Sequence, residues 1–115
     1  IPKLIQCATG FELMGDWNAE VACDAIQTLH AVNTALLRNR NMSDLLQDCV
    51  NFGGDVDSVA AIAMGLASLT PEYSPDIPQS LVDGLERGPF GHGFLVGLDA
   101  ALAIKFPVLM RQAGR

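Results

Sequence analysis

Hydrophobic and polar positions along the chain follow a helical period almost throughout. Apolar residues at Ala22, Ala25, Ile26, Leu29, Val32 and Leu36 fall on one face at 3.6 residues per turn and predict a helix over residues 17–38. Asp16 or Asn18 is suited to cap its start, Glu20 to its first turn, and Arg38 and Arg40 to the negative end of its dipole. After the connector "NRNMS", Ser43 is a candidate N-cap for a short helix over 44–52 with Leu45, Leu46, Cys49, Val50 and Phe52 as its apolar set. Gly53 and Gly54 end it. Residues 57–69 form a third predicted helix with apolar residues on every side, an arrangement that implies cover on every side.

The prolines of "TPEYSPDIP" mark a loop. "PQSLVDGLER" reads as a short amphipathic helix with Pro78 in its first turn, and "GPFGHG" as a turn. A last helix is expected over 93–106, ended by Pro107. The lead-in "IPKLIQCATGFELMGDW" is interrupted by Gly10 and Gly15 and reads as a short helix or an irregular segment. No alternating strand pattern and no repeat occurs, so the expected class is all-α, with about four to six helices in one segment over 1–115.

Composition narrows the possibilities. In 115 residues, half the chain is hydrophobic and 17% is charged, which excludes disorder and leaves more apolar surface than a domain this small needs to bury. With Asp and Glu outnumbering Lys and Arg, the net charge is −6, and no basic face exists for a polyanion, so nucleic acid is not an expected partner. The longest apolar run is too short to cross a bilayer, and no membrane association is expected. Cys7, Cys23 and Cys49 form neither an even set nor a CxxC pair, so each thiol is expected to act as a small apolar residue in a reducing, cytoplasmic setting. The first residue is not Met, and the chain is expected to be a piece or a processed product.

The candidate chemistry lies in "GGDVDSVAAIAMGLAS". Two acids, Asp55 and Asp57, and the hydroxyl of Ser58 stand at the mouth of the apolar third helix, behind the two glycines. One reading is electrostatic. A helix N-terminus presents unpaired N–H groups, and each acid there gains about 0.3–1 kcal/mol. The other reading is a hard-cation site, since Mg²⁺ and Mn²⁺ take carboxylate and hydroxyl oxygens. Carboxylates converging to about 5 Å would repel by on the order of 3 kcal/mol at an effective dielectric of 20, more than the dipole offsets. Convergence would therefore call for a cation, and the residue types alone leave both readings open. Elsewhere, His30 reads as a partly buried histidine with a local hydrogen bond, His92 as a solvated loop residue, and Trp17 as a packing anchor.

The run from Gly53 to Ser68, followed by "DIP", resembles the C-terminal signature of the ADP-ribosylglycohydrolase family, whose motif is Gly-Gly-Asp-x-Asp-Thr leading into a small-residue helix. The resemblance extends over residues 17–87 and is weaker beyond. It implies an all-helical fold, of which this chain would be the C-terminal portion, and two Mg²⁺ or Mn²⁺ ions in a cleft. It also implies hydrolysis of the glycosidic bond between ADP-ribose and an acceptor. Asp55 and Asp57 match the metal-binding aspartates of the motif, Ser58 stands where the family has Thr, and Gly53 and Gly54 form the turn. No residue here matches a catalytic glutamate. The family's remaining ligands come from N-terminal motifs that this sequence does not contain, so the chain carries half of such a site and is expected to be inactive alone. Expected partners are an ADP-ribosylated acceptor or an ADP-ribose-like molecule, and either the N-terminal segment or a second copy to cover the apolar excess. The alternative is a non-catalytic, crystallin-like relative with a structural or binding role.

Overall fold

The computed structural model describes residue 13 and residues 15–107. The lead-in is outside the described residues up to residue 12. Five helices are present among the described residues: α1 (Ala25–Arg38), α2 (Met42–Asn51), α3 (Val56–Ser68), α4 (Gln79–Asp83) and α5 (His92–Lys105). No strand longer than an isolated bridge accompanies them. The all-α expectation holds. The chain divides into two compact units between Asp76 and Ile77.

In the first unit, α1, α2 and α3 pack on one another around a core of Val21, Ala31, Val32, Ala35, Leu45, Cys49, Val59, Ala63, Ala67 and Tyr73. Much of this core is alanine, which lets helix backbones approach closely. Helix α1 begins eight residues later than its periodicity suggests, because Trp17 to Asp24 is committed elsewhere. Its N-cap is Asp24, whose carboxylate accepts from the Gln27 N–H at 2.9 Å. Asp16 and Asn18 have no part in it. The buried face is also rotated from the expected stripe: Thr28, Ala31, Val32, Thr34 and Ala35 are buried, whereas Ala25 is exposed. The two threonines are tolerated because their hydroxyls donate to carbonyls one turn back, Thr28 to Asp24 at 3.0 Å and Thr34 to His30 at 2.8 Å.

Helix α2 is capped by Asn41, which accepts from the Asp44 N–H at 2.8 Å. Ser43, the expected cap, lies inside the helix and ties it to the loop that follows α3: its N–H donates to the Asp76 carboxylate and its hydroxyl to the Asp76 carbonyl. Tyr73 fastens the same loop by donating its hydroxyl to the Leu36 carbonyl. Helix α3 departs most from expectation. Val59, Ala63 and Ala67, four residues apart, are buried, but Ile62 and Leu66 on the other face are 40% and 38% exposed. Among the described residues, nothing would lie within 4 Å of a Cβ at Gly65. The helix is apolar all round, yet the described residues cover it on one side.

The second unit holds the short α4, entered through Pro78 at its N-cap rather than in its first turn, and α5, which has no buried residue. Among the described residues no helix is long and apolar enough to cross a membrane.

Candidate functional site

The Gly-Gly-Asp turn is built by three local features and one distant one. Gly53 and Gly54 both have φ of +77°, a left-handed conformation that side chains disfavour. Asp55 follows with φ −76° and ψ 54°, the centre of an inverse γ-turn closed by the Val56 N–H donating to the Gly54 carbonyl at 2.8 Å. The distant feature is Val21. Its N–H donates to the Gly53 carbonyl at 3.0 Å, and its carbonyl accepts from the Asp55 N–H at 2.8 Å, forming a parallel bridge around Gly54. A Cβ on Gly54 would overlap the Val21 carbonyl oxygen.

Asp55 occupies the N-cap position of α3, but its side chain makes no capping hydrogen bond. Instead its Oδ1 accepts from the Ser58 hydroxyl at 3.2 Å. Both residues are half-buried and line an open cavity of about 430 Å³ between the starts of α1 and α3. Cys23, Asp24, Ala25, Thr28, Leu29 and Ile62 complete the lining. Asp57 is in the first turn of α3, exposed, and outside that lining. The site therefore brings Asp55 and Ser58 together and leaves Asp57, which lies between them in sequence, on the surface.

Of the thiols read as small apolar residues, Cys23 is exposed and free at the cavity rim, whereas Cys49 is fully buried in the core. Burial, and next the Asp48 carboxylate, pushes the Cys49 thiol up to about 11. Cys7 lies outside the described residues. Trp17 anchors the segment before α1: its ring stacks on His30 with centroids 6.2 Å apart, its indole N–H donates to the Ala19 carbonyl, and its backbone N–H donates to the Thr34 hydroxyl. His92 is exposed at the start of α5.

The donor set can be tested against a hard divalent cation. Carboxylate and hydroxyl oxygens are the right type, and the Asp55 carboxylate is not spent on the helix end. Mg²⁺ commonly needs only one or two protein carboxylates, with water and other groups completing six positions. The described residues supply no cluster of three or more acidic, histidine or cysteine side chains able to hold an ion. Asp55 and Ser58 thus offer oxygen donors of the type a hard cation takes, short of a full ligand set among the described residues. The cavity residues from α1 were missed in the sequence, although Asp24 followed three residues later by Gln27 is a capping-box spacing that marks the helix start beside the site.

Among curated proteins and solved structures, none matches the chain. The family model for ADP-ribosylglycohydrolase matches residues 7–109, which includes the whole Gly-Gly-Asp turn and α1 to α5. With nearly all of its length matched and an all-helical fold, the chain belongs to the ADP-ribosylglycohydrolase family.

Proposed function

We propose that this chain is the part of a dinuclear Mg²⁺- or Mn²⁺-dependent ADP-ribosylglycohydrolase that contributes Asp55, Asp57 and Ser58 to the metal centre. The observation that carries the reading is the state of Asp55. It sits at a helix start, where an aspartate ordinarily caps, yet its carboxylate caps nothing and faces a cavity with a hydroxyl beside it. Bound ions would orient a water and stabilise charge on the leaving oxygen of the ribosyl bond. In the chain itself, Gly53 and Gly54 set the turn, Ser58 fixes the Asp55 carboxylate, and Asp57 extends the acidic edge outward. The remaining ligands would come from a segment or partner that completes the cleft, and this chain alone would be inactive. An ADP-ribosylated side chain is the substrate class this reading implies.

The test is release of ADP-ribose from ADP-ribosylated arginine and serine peptides by the native gene product that carries this chain. Activity with Mn²⁺ that falls at least about 100-fold in Asp55→Asn fits the proposal. A folded gene product with no release, or one indifferent to Asp55→Asn, contradicts it, and the first result favours a crystallin-like structural role.

A further inference from the structure

The segment before α1 is more than a lead-in to the helix. It is fastened to α1 at both ends. Near its start, the Trp17 N–H donates to the Thr34 hydroxyl at 3.0 Å. Near its end, the Ala22 N–H donates to the Gln27 side-chain oxygen at 3.0 Å, and the Asp24 N–H to the Ala22 carbonyl at 2.7 Å. Between these ties, Val21 grips the Gly-Gly-Asp turn through its own N–H and carbonyl. The Val21 side chain is 1% exposed and belongs to the core. Glu20 lies over the turn, with its Cγ 3.6 Å from where a Gly53 Cβ would be. Thus one extended segment joins the starts of α1 and α3, the two helices that wall the cavity.

From this we infer that Val21 is a positioning residue for the metal centre: its backbone bridge, locked by its buried side chain, fixes the direction in which Asp55 presents its carboxylate to the cation. The inference rests on the reading of Asp55 as a cation ligand. Helix α3 alone does not hold Asp55: it reaches the Asp55 carbonyl only through the Val59 N–H at 3.5 Å and the carboxylate only through the Ser58 hydroxyl at 3.2 Å, whereas the Asp55 N–H is bonded to Val21 at 2.8 Å. Shortening Val21 to alanine leaves the backbone groups in place but removes the packing that holds them. An equal truncation at Val32, also in the core but on α1 and away from the bridge, does not.

Two measurements decide the matter. In the wild-type chain, the amides of Val21 and Asp55 should exchange with solvent together, at least about tenfold slower than open-chain amides. Free exchange at either overturns the inference whatever the variants do. Mn²⁺ affinity is then read by the loss of the free-ion paramagnetic signal, well below every unfolding midpoint. Val21→Ala should weaken binding by roughly 10–100-fold, as loss of an outer support does, while Val32→Ala leaves it unchanged. If Asp55→Asn weakens Mn²⁺ but Val21→Ala behaves like Val32→Ala, the positioning role is wrong and the ligand reading stands. If Asp55→Asn changes nothing, the ligand reading fails and this inference fails with it.

Discussion

At the scale of single residues, Gly54 is the tightest constraint on the site. Both glycines take φ of +77°, but only Gly54 has the Val21 carbonyl where a side chain would go, while a Cβ on Gly53 would make only an ordinary contact, with the Glu20 side chain at 3.6 Å. Gly53→Ala should therefore cost about 1–2 kcal/mol, the penalty of a left-handed backbone. Gly54→Ala should cost more, because the bridge must also open. Chemical denaturation of the two variants separates them, and equal losses would refute the overlap. Cys49 gives the residue-scale pH prediction. Its folded-state pKa is raised to about 11, so the unfolded chain releases the thiol proton first. The stability it contributes is intact below about pH 8.5, the ordinary thiol range, and declines as pH rises through the folded value. The stability difference between wild type and Cys49→Ala should shrink by on the order of 2 kcal/mol between pH 8 and pH 10.5. A constant difference would contradict it.

At the scale of elements, periodicity located every helix that exists among the described residues but misplaced starts and faces. The reasons are specific. Trp17, Glu20 and Val21 fit a helical pattern, yet Val21 is held by Gly53 and Asp55, more than thirty residues away, and a non-local bridge leaves no local trace. The buried face of α1 includes Thr28 and Thr34, which read as polar although their hydroxyls bond to the helix itself. The glycine turn was legible because only glycine suits its backbone. The cavity opposite Asp55 was not, because it forms where two helix starts meet. Two predictions belong here. Asp24→Ala should destabilise the chain by about 1 kcal/mol through loss of the α1 cap, whereas Asp55→Ala should show no such capping loss. Thermal melts of both variants check the contrast, and the reverse order would overturn the assignment of caps. On α3, Ala63→Leu should cost about 1–3 kcal/mol by overpacking, while Ile62→Gln stays within roughly 0.5 kcal/mol, which would fail if α3 were enclosed on all sides.

At the scale of the whole molecule, the chain exposes much apolar surface. On α5, Leu95, Val96 and Ile104 are more than half exposed, and Leu69 beyond the end of α3 is 70% exposed. Scattered exposed leucines are ordinary, but a helix apolar around its circumference is not. Concentration-dependent association in light scattering is the expected behaviour of this chain, and a monodisperse monomer would contradict it. The same incompleteness applies to the site, where Asp55 and Ser58 line the cavity, Asp57 lies outside it, and the described residues hold no group of three or more acidic, histidine or cysteine side chains able to hold an ion. Family membership and the uncapped Asp55 together make cation binding the central claim. Its most direct test is calorimetric titration of Mn²⁺ into the native gene product that carries this chain and into its Asp55→Asn and Asp57→Asn variants. Binding that weakens in both variants, more in Asp55→Asn, is the predicted result; the same affinity in all three proteins would contradict the account.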